Sequence, residues 1–99
     1  MRRTILKTES FVADLERSFE YGISFFGLSV ATQFRDRVDE TIDMIAEYPN
    51  IGTDLSEFAP LLRQFILSPY RVVYTIEAES VTFRRFIRTE QSVSSEDML

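Results

Sequence analysis

Neither histidine nor cysteine occurs among the 99 residues, so arginine, tyrosine, carboxylates and the backbone must carry whatever chemistry the chain performs. The missing thiol removes cysteine nucleophiles and cysteine-based metal sites, and the missing imidazole removes the commonest general base near neutral pH. Ten of the eleven basic residues are arginines, whose planar fork matches phosphate and carboxylate groups. Five of them fall late in the chain: Arg63, Arg71, Arg84, Arg85 and Arg88. Such a group can clamp phosphates or pair with an acidic peptide. The plainer alternative is arginine stems laid over a sheet with their heads in solvent. Asp36, Glu40 and Asp43 share one helical face beside Asp39, and that pattern reads as a solvated acidic face rather than an ion site. Glycine-rich phosphate loops, nucleophile elbows and metal-ligand spacings are absent from the sequence, so neither a cofactor nor a metal is expected.

The net charge of −5 argues against nucleic-acid work only if it is evenly spread. It is not. Residues 1–7 carry +3, residues 8–60 carry −8, residues 61–88 carry +3 and residues 89–99 carry −3. The middle of the chain is acidic and the second half modestly basic.

Elements must position these arginines. Residues 2–7 form a short strand candidate around Ile5 and Leu6. Thr8 is placed to cap a helix whose apolar stripe runs through Phe11, Leu15, Phe19, Gly22 or Ile23, and Phe26, with Asp14, Glu16, Arg17 and Glu20 mostly outside it. Gly27 supplies a stop, and Ser29 a cap for a second helix with Ala31, Phe34, Val38, Ile42 and Ile45 on one face. Pro49 ends that helix. A connection over 49–60 follows, with a single turn expected at 55–58 capped by Asp54. Residues 61–68, 70–77 and 80–88 then alternate as three strands joined by hairpin-length breaks. Tyr70, Val72, Tyr74 and Ile76 share one face of the middle strand, opposite Arg71. The expected fold is α+β: a helical hairpin packed on a largely antiparallel four-stranded sheet in the order β-α-α-β-β-β. The partner of the first strand is left open by the pattern. A length of 99 residues with 44% hydrophobic content fits one domain spanning 1–99, with 89–99 as a polar tail. No apolar run approaches a membrane span and the start lacks a signal-peptide core, so a cytoplasmic protein with no membrane partner is expected.

The stretches ADLERSFEY, ATQFRDRVDETIDMIAEYPNIG and LLRQFILSPYRVVYTIE, in this order and spacing, resemble the RelE/ParE superfamily. Its members are the toxin halves of type II toxin–antitoxin pairs, also known as plasmid stabilisation proteins. The resemblance spans nearly the whole chain, and it implies the same helical hairpin on an antiparallel sheet. It also implies a cognate antitoxin as partner in a hetero-oligomer. The ParE-like branch poisons DNA gyrase by binding, without established nuclease chemistry. The RelE-like branch cuts messenger RNA on the ribosome with a cationic cluster. On that alternative Arg71, which falls on the arginine of the YR-x-x-Y strand, would act with Arg63 and Arg88 as phosphate clamps. The RelE-like pattern lacks its lysines here, and Glu90 and Gln91 stand where a basic pair belongs. The ParE-like branch often ends its last strand in His and then Arg, positions held here by Arg88 and Glu90. A gyrase-binding poison is therefore the leading expectation, with a degenerate, non-toxic antitoxin-binding module as a third reading.

Phe19, Tyr21, Phe25 and Phe26 crowd one end of the first helix, more aromatic surface than a narrow stripe needs. Most of it is expected to pack in the core, and any surplus to receive an antitoxin segment. The expected target- or antitoxin-contacting residues are thus Arg63, Arg71, Arg84, Arg85, Arg88, Phe19 and Phe25.

Overall fold

The computed structural model describes residues 2–90. Strand β1 (Thr4–Lys7) leads into helix α1 (Glu9–Phe26). Thr8 caps that helix as its sequence suggests: its Oγ1 accepts the Phe11 N–H at 3.0 Å, and Glu9 sits in the first turn where the helix dipole favours an anion. Helix α2 (Leu28–Glu47) begins one residue after α1 ends. Gly27 is both the last cap of one helix and the first cap of the other. Its N–H donates to the Ile23 carbonyl at 3.0 Å and its carbonyl accepts the Ala31 N–H at 3.1 Å. A φ of 88° makes this joint possible, since a side chain there would be strained. Ser29, expected as the cap of α2, is instead an ordinary residue inside it, because a one-residue joint leaves no position for a separate cap.

The connection after α2 is more structured than expected. A 3₁₀ turn (Pro49–Ile51) leads into a two-residue strand, β2 (Thr53–Asp54). The predicted turn follows, closed by the Phe58 N–H on the Leu55 carbonyl at 2.9 Å. Strands β3 (Leu62–Leu67), β4 (Tyr70–Ile76) and β5 (Ser80–Arg88) complete the chain. The sheet therefore has five strands, not four, in the order β1-β5-β4-β3-β2. β2 pairs Thr53 with Gln64 and Asp54 with Arg63, and two residues are too few to leave an alternating pattern. β1 lies parallel to β5, from Thr4 beside Ser80 to Lys7 beside Phe83, and the other neighbours are antiparallel. Of the polar tail expected from residue 89, Thr89 and Glu90 form a turn, with the Thr89 N–H on the Pro69 carbonyl at 3.0 Å. Residues 91–99 lie outside the described residues.

Both helices cover one face of the sheet. Phe11, Val38, Ile42 and Ile45 meet Leu67, Val72, Tyr74, Val81, Phe83 and Phe86 in a single core. Phe83 and Phe86 are three apart, which strict alternation would place on opposite faces. A bulge solves this. Val73 lies opposite Arg85 and Tyr74 opposite Phe83, so Arg84 is the extra residue and both rings reach the helices. Tyr74 is fully buried, and its hydroxyl donates to the Pro49 carbonyl at 2.7 Å and accepts the Gly52 N–H at 3.0 Å. Gly52 permits that approach: a Cβ there would lie 2.4 Å from the tyrosine oxygen.

Candidate functional site

The helices are in close contact where Gly22 faces Ala31, whose Cβ would be 3.3 Å from a Cβ on the glycine. Around this contact the hairpin opens a groove of about 290 Å³. Its walls are apolar: Leu15, Phe19 and Phe26 from α1, Val30, Phe34 and Val38 from α2. Pro69 and Tyr70 close it at the β3–β4 turn, and Arg35, Asp39 and Arg88 stand among its lining. Such a trough, apolar along its length with few charges, suits an amphipathic segment laid in extended or helical form.

Arg88 is held by aromatics at the end of this groove. Its guanidinium lies 5.9 Å from the ring centre of Tyr21 and 5.6 Å from that of Tyr70, while its Nε donates to Glu90 Oε1 at 2.9 Å. The bond to Glu90 pushes the arginine's pKa up, and Tyr70 and Tyr21 add to the shift. Arg35 lies over the Phe19 ring at 5.1 Å.

Arg37 lies over Phe34 at 5.9 Å, but the other arginines expected as contacts, Arg63, Arg71, Arg84 and Arg85, do not line the groove. Arg63 is turned toward the 3₁₀ loop, donating from Nη1 to the Gly52 carbonyl at 2.6 Å and to the Asn50 carbonyl at 3.2 Å. Arg71 pairs in register with Ile66 and Ile87 on the face away from the helices, where its Nη1 donates to Gln64 Oε1 at 2.8 Å. Arg84 donates to Thr75 Oγ1 at 3.0 Å. Arg85 reaches across to α1 and makes a two-pronged pair with Asp14. Arg71 and Arg88 thus sit on neighbouring strands but opposite faces, and Arg63 lies at the far end of β3, so the three do not converge on one phosphate-sized point.

The aromatic cluster also differs from expectation. Phe19 is half-buried, while Tyr21, Phe25 and Phe26 are exposed and take no part in the core. Among the described residues the last turns of α1 add nothing to the core, and Tyr21 lies against Arg88 of β5. Phe25 stacks on Tyr21 with ring centres 4.5 Å apart. Two participants escape sequence reasoning. Arg35 reads as one charge in the acidic face of α2, and only its angle to Phe19 turns it into the groove. Asp14 reads as solvent-facing yet is buried; the one signal for it is its place one turn past Phe11, above a strand rich in arginine.

Residues 5–93 match the sequence profile of the family described as ParE toxin of type II toxin-antitoxin system, parDE. The chain belongs to the ParE toxin family. Toxin ParE3 of Caulobacter vibrioides is similar to it, 25% identical over 92 residues that cover 93% of this chain and 92% of the relative. A structure of a chromosomal ParDE toxin–antitoxin system from P. aeruginosa has the same fold, with a TM-score of 0.76 at 18% identity over 90% of this chain and 98% of that one. The fold expected from the sequence is thereby borne out, apart from the added strand. Membership of a toxin–antitoxin family implies an antitoxin as partner. Among the described residues no helix is long and apolar enough to cross a membrane.

Proposed function

We propose that a segment of the cognate antitoxin neutralises this ParE-family toxin by lying in the groove between α1 and α2. Its apolar residues contact Phe19, Phe26 and Phe34, and a carboxylate pairs with Arg88. The observation that carries this reading is the groove itself, apolar along its walls and ending in a guanidinium held between two tyrosines. An acidic residue of the antitoxin would take the position that Glu90 holds in the free chain. The target is DNA gyrase in the cytoplasm, engaged by binding and not by bond-breaking. Family membership supports that target, and the dispersal of Arg63, Arg71 and Arg88 supports binding over phosphate cleavage. On this reading Arg71 and Arg84, on the sheet face away from the groove, meet the target while the groove serves the antitoxin.

Purified chain added to gyrase and relaxed plasmid is expected to block supercoiling and accumulate cleaved DNA, and antitoxin is expected to reverse both. Unchanged supercoiling together with ribosome-dependent transcript cleavage would replace this reading with the nuclease one.

A further inference from the structure

The face of the sheet turned away from both helices is buried along its middle. Arg71, Val73 and Thr75 alternate with the core residues of β4, and their neighbours across on β5 are Ile87, Arg85 and Thr82. Val73 is 0% exposed and Ile87 3%, Thr75 is buried beside them, and Arg71 is buried as far as its Nε. Arginine stems laid on a sheet keep their heads in water, so burial of this depth needs a cover over the arginines themselves. The cover is uneven. Ile66 of β3, in one row with Arg71 and Ile87, is 50% exposed, and Leu6 of β1, beside Thr82, is 46% exposed. It therefore lies over β4 and β5 and stops short of the strands on either side. These are exposures of a single chain, so the cover belongs to the chain itself.

We propose that the cover is the chain's own segment 91–99, QSVSSEDML, which turns back after Glu90 and lies along β4 and β5 with the Glu96 and Asp97 carboxylates among the forks of Arg71 and Arg84. The point of departure fits. β5 ends at Arg88, and the Thr89 N–H is bonded to the Pro69 carbonyl, so the chain leaves the sheet beside Ile87. A strand rises about 3.3 Å per residue, so an extended chain reversed at Glu90 comes level with Val73 near Val93 and with Thr75 near Glu96. Both forks stand there. Arg71 Nη1 donates to Gln64, which lies opposite Val73, and Arg84 Nε donates to Thr75. Charge agrees, since the segment brings two carboxylates to two arginines. A separate acidic peptide would lose its full freedom of motion on binding here, whereas a short tether holds the segment at an effective concentration of roughly millimolar. The docking stands without the function proposed above. Its consequence rests on that reading: a target reaching Arg71 and Arg84 must first displace the segment.

The chain has no cysteine, so a nitroxide on Ser94→Cys tests this in the full-length protein, without antitoxin or gyrase. The amide resonances of Val73 and Ile87 are expected to broaden severalfold more than those of Asp36 and Glu40, which are exposed on α2 at the helix side of the sheet. Equal broadening of the two sets overturns the proposal. So does broadening of Val73 and Ile87 by a label carried on a different molecule, measured by mixing spin-labelled chain with nitrogen-15 chain, which would make a second copy the cover. Glu96→Gln with Asp97→Asn is expected to lower the Val73 and Ile87 broadening by at least about half at low salt. Asp36→Asn with Glu40→Gln makes the same change in net charge on the helix side and is expected to leave that broadening as it was. Equal effects of the two pairs, or no effect of the first, remove the carboxylates from the arginines and overturn the proposal.

Discussion

Asp14 of α1 accepts Arg85 Nε at 2.7 Å and Nη2 at 3.1 Å, and the same carboxylate accepts the backbone N–H of Phe86 at 3.0 Å. Arg17 adds a further contact from the solvent side. The location explains the residue. β1 pairs with β5 only as far as Phe83, and beyond that point the edge of β5 belongs to α1: the Thr8 N–H meets the Phe83 carbonyl and the Thr8 hydroxyl the Arg84 carbonyl. Asp14 completes this seam over the bulge.

Asp14→Ala removes the carboxylate from both Arg85 and the Phe86 N–H in a site where Asp14 is 4% exposed. A loss of about 3–5 kcal/mol is expected, measured by chemical denaturation. Asp14→Leu with Arg85→Met is expected to recover roughly half of that loss, since two apolar groups leave no ion uncompensated. If Asp14→Ala costs no more than an exposed i,i+3 pair would, the seam is not a stabilising element.

Tyr74→Phe deletes one hydroxyl that donates to the Pro49 carbonyl and accepts the Gly52 N–H. The expected cost is about 1–3 kcal/mol, because both partners are left without it in a buried place. Burial also raises the Tyr74 pKa above its ordinary value near 10. A raised pKa means this contribution is intact below the unfolded value and lost as pH climbs through it toward the folded one. Stability of the parent chain is therefore expected to fall on alkaline titration beyond pH 10, and more steeply than that of Tyr74→Phe.

Much of this was legible in the sequence, and the failures have physical causes. Thr8, Gly27 and Pro49 mark helix boundaries because caps and stops act within a few residues of themselves. β4 announces its faces through Tyr70, Val72 and Tyr74. By contrast, β2 is too short to carry a period, and the parallel pairing of β1 with β5 joins residues more than seventy positions apart. The bulge at Arg84 breaks the alternation that locates side chains, so Arg85 cannot be placed from its neighbours alone. Of the candidate site, Arg88 and Phe19 were visible by position. The groove was not, since it depends on how the hairpin sits against the β3–β4 turn.

In the antitoxin complex, Phe19→Ala is expected to weaken binding at least about tenfold by titration calorimetry. Arg88→Ala is expected to weaken it by a smaller, salt-sensitive factor, because Arg88 is partly solvated. Arg71→Ala and Arg84→Ala change the opposite face and are expected to leave antitoxin affinity within about twofold. A larger loss from Arg71→Ala than from Phe19→Ala would move the antitoxin off the groove.

The Glu90 carboxyl is held below the ordinary glutamate range, first by its own backbone N–H and then by Arg88. A lowered pKa makes the pairing fully present above the ordinary carboxylate value and lost as pH falls through the folded one. Both side chains are exposed, so the readout is the Glu90 carboxyl resonance and not stability. Its titration midpoint is expected to rise in Arg88→Ala. An unmoved midpoint would show that the backbone alone holds the carboxylate.

The tip of the hairpin separates recognition from folding. Ala31 is buried against Gly22 and Tyr21 lies against Arg88, whereas Phe25 and Leu28 on either side of Gly27 stand outside the core. The joint around Gly27 can therefore change its surface chemistry at Phe25 and Leu28 while the packing that folds the chain stays as it is.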